Sequence, residues 1–362
     1  MPENSEYENL ISALFRVLFA DMGEFDVSAD SDSPEHVDIL VRQPGSGTEF
    51  RFNVKSRERV TPQIADDLFE RIASEKSPRE KTTFVFVAPT ISERVAEIAQ
   101  KHDVSFLDHS GNCLIANKRL GLLLHRKGFK TKLVKSSSPP PTNVFSPKSS
   151  RIIRVMLSDP SRRWQVSELA KHPNVDVSMG LASKVKHALL YQSYAKEENQ
   201  MLTLKNPREL LEAWAKNYPK VQESAKFFVR GEVEAIEKKI AKWCRNNNHQ
   251  YALARMSAAW RQSPEVRYNV ANFYVRSSAI TERALISLKE ECGARPVETG
   301  HNLVFLSPYD SSVFANPIGE PQQTSPLQTW LDLKQMSGRG EEAADAVFEK
   351  HLAPLFESLQ LP

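Results

Sequence analysis

The sequence predicts an α/β and α+β multidomain protein, and three observations predict it. Residues 135–150, KSSSPPPTNVFSPKSS, are rich in Pro and Ser and divide the chain. Proline removes a backbone donor and fixes φ, so such a run suits a linker better than a helix or an inner strand. Before it, strand-like apolar runs alternate with helical patterns, the order of an α/β sheet. After it, three helical patterns and a two-stranded pattern precede a long mixed region of helices and strands. The expected parts are an α/β domain over 1–134, the linker 135–150, a small helical domain over 151–206 and a mixed α/β domain over 207–362.

In the first part, NLISALFRVLFADMG carries apolar residues at 10, 11, 14, 15, 18 and 19, the period of a helix buried on one face. VDILV and FRFNV read as strands, PQIADDLFERIAS as a helix, TTFVFVAP as an inner strand, ISERVAEIAQKH as a helix and VSFLD as a short strand. In FLDHSGNCLI, Asp108 beside His109 invites a metal or acid–base reading, but SGN is an ordinary turn and is read as one. His102, His125, His172 and His249 share no metal-binding spacing.

Composition sets limits. The 362 residues, 40% apolar, suffice for two or three domains with cores of their own. No apolar run approaches the roughly 20 residues of a membrane span, and MPENSEYENL lacks the pattern of a signal peptide. A cytoplasmic location without membrane contact is expected. Cys113, Cys244 and Cys292 are far apart and read as buried thiols. Net charge is only +3, yet Arg126, Lys127, Lys130, Lys132, Lys135, Lys148, Arg151 and Arg154 form a block with no acid among them. Such a block suits a polyanion, because neutralised phosphates release counterions; a solvated linker is the plainer alternative.

The helices SSRIIRVMLSDP, WQVSELAKHP and SMGLASKVKHALL, followed by the hairpin pattern QSYAKEENQMLTL, have the order of a winged helix-turn-helix. In the third helix Leu181, Ala182, Val185, Ala188 and Leu189 share one face. Met179, Gly180, Ser183, Lys186 and His187 share the other, with Lys184 at its flank and Ser178 as N-cap. Small, polar and basic residues suit a recognition helix in a major groove. The candidate DNA-binding residues are Ser178, Met179, Ser183, Lys184, Lys186 and His187, with Lys196 in the wing and Lys148 and Arg151 leading in. Glu197 and Glu198 should be repelled from phosphate. A helical subdomain used for packing or dimerisation is the alternative.

Residues 37–57, VDILVRQPGSGTEFRFNVKSR, partly resemble metal-dependent nucleases of the PD-(D/E)XK type, in which carboxylates hold Mg²⁺ and a lysine orients water or stabilises charge. Asp38 matches the first acid and Lys55 the lysine, but Asn53 stands at the second acidic position; Glu8 on the opening helix matches an extra carboxylate, and Gln63 follows. An amide is uncharged, so Asp38 with Asn53 should hold Mg²⁺ poorly. The resemblance implies a degenerate restriction-endonuclease-like domain, without catalysis or cofactor. If the domain were a nuclease, Glu8, Asp38, Asn53 and Lys55 would form its site and Asp38 its metal ligand. A charged hairpin without chemistry is the remaining alternative.

YALARMSAAW, NVANFYV, LVFLSPYD and SPLQTWLDLKQMSGRGEEAADAVF, with the SGN turn upstream, resemble the AbiEi family of type IV toxin–antitoxin antitoxins, best over residues 150–360. The resemblance implies a winged-helix transcriptional autoregulator with an antitoxin-like C-terminal domain and a nucleotidyltransferase-like toxin as partner. The family's DNA contacts map onto the face around Lys184, Lys186 and His187. The chain departs by carrying a further domain before the winged helix. In GRGEEAADAVFEKHLAPLF, Ala343, Ala344, Val347 and Leu352 read as a packing face, with Arg339 and Glu341 at its start. The expected function is therefore a non-enzymatic, sequence-specific regulator of double-stranded DNA, working as a homodimer. The alternatives are an Mg²⁺-dependent DNA nuclease and an antitoxin acting by contact with a toxin.

Overall fold

The computed structural model describes residues 4–33, 36–74, 82–128, 142–276, 278 and 280–357. Lys130, Lys132, Lys135 and most of the expected linker lie outside them. The chain divides into two compact units, one within residues 1–140 together with Tyr191–Ser193, the other formed by the rest. Both are mixtures of helix and sheet. Among the described residues no helix is long and apolar enough to cross a membrane.

The first unit opens with α1 (Asn4–Phe19), followed by β1 (Asp26–Ser33), β2 (His36–Arg42), β3 (Glu49–Ser56), α2 (Pro62–Ser74), β4 (Thr82–Ala88), α3 (Glu93–Lys101), β5 (Ser105–Asp108), β6 (Cys113–Asn117) and β7 (Leu122–Arg126). These seven strands form one sheet in chain order. β3, β4 and β5 are parallel, as connections through α2 and α3 require, and the other pairs are antiparallel. Ile11, Phe15, Leu18 and Phe19 of α1 cluster with Val37, Ile39, Val54 and Val85. α2 and α3 cover the other face, where Ala65, Phe69, Val95 and Ile98 meet Phe86 and Phe106. β1, β6 and β7 were not legible as strands. β1, DVSADSDS, has almost no apolar alternation; its backbone pairing with β2 holds it, and backbone hydrogen bonds carry no sequence signature.

The second unit begins with α4 (Pro147–Ser158), α5 (Val166–Lys171) and α6 (Met179–Tyr191), closed by the hairpin β8 (Ala195–Glu198) and β9 (Met201–Leu204). The Pro/Ser-rich stretch does not stop at 150 as unbroken linker: its last four residues, from Pro147, are the first turn of α4, where proline's missing N–H costs nothing. Trp164 pairs its backbone with Leu202 on the open edge of the hairpin. The hairpin turns through Asn199 and Gln200, both at positive φ, the conformation a two-residue turn needs to match strand twist.

Then follow α7 (Pro207–Lys216), β10 (Gln222–Phe228), α8 (Val233–Asn246), β11 (Tyr251–Leu253), α9 (Arg255–Gln262), β12 (Ala271–Val275), α10 (Glu282–Cys292), β13 (Arg295–Pro296), β14 (Leu303–Ser307), α11 (Pro326–Leu333), α12 (Arg339–Val347) and α13 (Ala353–Glu357). The strands form a sheet of order β11-β12-β14-β10-β13, parallel only between β12 and β14. α8 and α10 bury Ile236, Ile240, Trp243 and Leu288 against Phe227, Phe273 and Phe305 on one face. Tyr274, Val304 and Leu306 point to the other. Ala343, Ala344, Val347 and Leu352 are buried, and Glu341 lies in the first turn of α12, where the helix dipole favours an acid. Cys113, Cys244 and Cys292 are free and buried.

Candidate nucleic-acid interface

The sequence of α6 leaves one of its faces in solvent. Ala182, Val185, Ala188 and Leu189 are buried in the same cluster as Trp164, Leu169, Ile153 and Leu202. The outer face is led by Met179, Gly180, Lys184 and His187, all exposed, with Ser183 and Lys186 half-buried beside them. α6 contains no acid. Ser178 is occupied as a cap: its Oγ accepts from the Leu181 N–H at 3.3 Å. The basic character of this face therefore comes from Lys184 at one side and His187 one turn on.

Three expected contacts have other partners. Lys186 Nζ donates to Glu197 Oε1 at 2.8 Å, and the pair ties α6 to β8. Lys196 pairs with Glu198 at 3.0 Å, and its hydrogen bond holds the Glu198 carboxyl below the usual range. Glu197 and Glu198 thus neutralise neighbouring lysines instead of standing alone against phosphate. Arg151 is turned inward. Its Nε and Nη2 donate to the two oxygens of Asp310 at 2.9 and 2.6 Å, and its Nη1 donates to the Val175 carbonyl at 3.3 Å. Of the two residues leading in, only Lys148 is exposed. Asp310 lies 159 residues from Arg151, and no local pattern marks the pair.

One turn after Arg151, Arg154 is only 2% exposed. Its Nη2 donates to Gln328 Oε1 at 2.7 Å, and its guanidinium lies 5.0 Å from the centre of the Trp214 ring. Gln328 Nε2 in turn donates to Tyr218 Oη and Asp332 Oδ1, and the Tyr274 hydroxyl donates to the same oxygen at 2.8 Å. Burial pushes the Asp332 carboxyl up to about 7 against these donors. Gln328 and Asp332 belong to the SPLQTWLDL motif at i and i+4, so that motif forms a buried polar bridge to α4. Among the described residues Arg154 Nε and Nη1 and Asp332 Oδ2 have no hydrogen-bond partner, so the network is satisfied only in part.

In the first unit, Asp38 and Asn53 are direct cross-strand partners, and Lys55 faces His36 two residues on. Asn53 Nδ2 donates to Asp38 Oδ1 at 2.9 Å. With its amide nitrogen toward the carboxylate, Asn53 presents a donor where a cation needs an acceptor, so this donor set does not fit Mg²⁺. Glu8 does not join it: α1 packs on the face of Val37 and Val54, and strand alternation puts Asp38, Asn53 and Lys55 on the other. Among the described residues no group of three or more His, Cys, Asp or Glu is arranged to hold a metal ion.

The SGN turn is built on Asp108. Its carboxylate, fully buried, accepts from the backbone N–H groups of Ile91, Ser110 and Asn112 and from the Asn112 amide. Burial lowers the pKa of the neighbouring His109, opposed by Asp108. His102 has its Nε2 2.9 Å from the buried Asp66 carboxylate.

No curated protein and no solved structure matches the chain. A family model does, over residues 203–353, from β9 to the start of α13, and it supports a regulator or antitoxin role. That segment is similar to the AbiEi_2 family, described as transcriptional regulator, AbiEi antitoxin, type IV TA system.

Proposed function

We propose that residues 147–204 form a winged helix that binds double-stranded DNA through the outer face of α6, and that the chain is a non-enzymatic transcriptional regulator. The observation that carries this reading is the exposed, acid-free face of Met179, Gly180, Lys184 and His187 on the third helix of a three-helix and hairpin order. Gly180 and Ser183 on that side of the helix are small enough for close approach to base edges, and Lys184 can meet a phosphate. Lys148 extends the basic surface, while Ser178, Lys186 and Lys196 shape it through the cap and the two ion pairs. Two copies on a two-fold site would gain affinity without new kinds of contact. The test is fluorescence anisotropy on a labelled duplex from the chain's own upstream region against a scrambled duplex. Selective binding that falls at least tenfold in Lys184→Ala/His187→Ala is expected; equal affinity of that variant and the parent would overturn the role of α6.

A second reading has the family match in its favour. The matched segment holds the whole C-terminal sheet with its helices, and a toxin contacting that part would make the chain an antitoxin by protein contact. Co-purification with the product of the adjacent reading frame, retained in Lys184→Ala/His187→Ala, is the outcome this reading requires.

A further inference from the structure

We propose that the edge of the N-terminal sheet where β3, β4 and β5 end is a second nucleic-acid surface, one that grips the phosphate backbone of a duplex without reading its bases. The three strands are parallel and so run out on one side. β7 ends there too, because Arg126 pairs with Cys113 and Cys113 pairs with Leu107 near the end of β5. The topology thus gathers Lys55, Arg57, Arg59, Arg126 and Lys127 on one edge, although Arg59 and Arg126 are 67 positions apart (126 − 59) in the chain. Arg57, Arg59 and Lys127 are exposed, and Lys55 and Arg126 half-exposed. Between β3 and β7 the acids at this edge are Glu58 and Glu93, both exposed, and Asp108, whose carboxylate is buried under its donors; on the far side of β3, Asp38 of β2, hydrogen-bonded to Asn53, and Asp30 and Asp32 of β1 lie toward the same end of the sheet. From β3 to β7 five cations therefore stand against two exposed carboxylates.

One feature favours phosphate over an acidic protein. α2 and α3 both begin at this edge, and helix N-termini add backbone N–H groups and partial positive charge. Two others favour a duplex over a single strand. From β3 to β7 the edge spans four strand spacings, about 19 Å, wider than the roughly 12 Å of a major groove, so it reaches phosphates on both strands. Single-strand binding needs exposed aromatic platforms, and Phe86 and Phe106 of these strands are buried.

The test uses the full chain and a scrambled fluorescein-labelled duplex titrated from low to high NaCl. In Arg57→Ala/Arg59→Ala/Lys127→Ala the slope of log affinity against log salt should become shallower by about 2 to 3, since each lost phosphate contact removes roughly 0.9. The loss should be equal on the scrambled and upstream duplexes, the thermal midpoint unchanged, and binding retained in Arg57→Lys/Arg59→Lys. An unchanged slope, or tighter binding to a single strand of equal length, would overturn the proposal. Lys184→Ala/His187→Ala serves as the comparison: if it alone weakens binding the edge is idle, and if the triple variant alone does so the reading of α6 falls while this surface stands.

Discussion

Arg151 grips both carboxylate oxygens of Asp310 and, with its third nitrogen, the carbonyl of Val175. Val175 lies three residues before Ser178, the cap of α6, and nearby Asn174 bonds Asn316 at 3.0 Å. The segment 310–316 therefore holds the turn that presents α6. Asp310→Ala would leave a mostly buried guanidinium without its anion and is expected to cost roughly 2–3 kcal/mol, the scale of hydrogen bonds to charged groups, read as the urea unfolding midpoint. Burial raises the Asp310 carboxyl, and the Arg151 and Ser312 hydrogen bonds more than offset it, leaving it below the usual range. A depressed carboxylate stabilises the fold above its unfolded pKa of about 3.9 and loses that contribution as pH falls through the folded value. The stability difference between the parent and Asp310→Ala should therefore shrink below about pH 4; a gap unchanged down to pH 2 would contradict the ionic role.

Asp332 has the opposite sign. Burial holds its carboxyl up to about 7, despite Tyr274, Gln328 and the nearby Arg255 and Arg154. The folded chain keeps a proton that the unfolded chain releases, so stability falls as pH rises from about 4 to about 7 and levels above. Asp332→Asn retains the oxygen that accepts from Tyr274 and Gln328 and removes this slope. Its unfolding midpoint should gain on the parent steadily between pH 4.5 and 7, roughly the window between unfolded and folded values. A constant difference across that window would mean that Asp332 is already ionised in the fold.

Asn53→Asp would set two carboxylates at the distance now bridged by an amide hydrogen bond of 2.9 Å. Like charges this close repel, so the thermal midpoint should drop in EDTA and recover in millimolar Mg²⁺, while the parent responds to neither. If Mg²⁺ leaves the variant's midpoint unmoved, the strand pair is an ordinary charged ladder rather than the remnant of a metal site.

Periodicity was enough to locate α1, α6 and the strands around Asp38 and Asn53, because burial of one face imposes a repeat of 3.6 or 2 residues on the chain itself. The buried face of α6 was legible residue by residue in Ala182, Val185, Ala188 and Leu189, and short ordered motifs were enough to mark the C-terminal family. Charge was legible only as a block. Whether Arg151 meets DNA or Asp310, whether Lys186 is free or bound to Glu197, and that Arg154 sits over Trp214 depend on partners brought close by packing. The same holds for Glu8, separated from Asp38 by the thickness of a sheet, and for the row from Arg57 to Lys127, assembled by parallel strand order. Local pattern reports which face of an element is buried; which side chains then meet across elements is a property of the folded chain, and on those meetings the chemistry of both proposed surfaces rests.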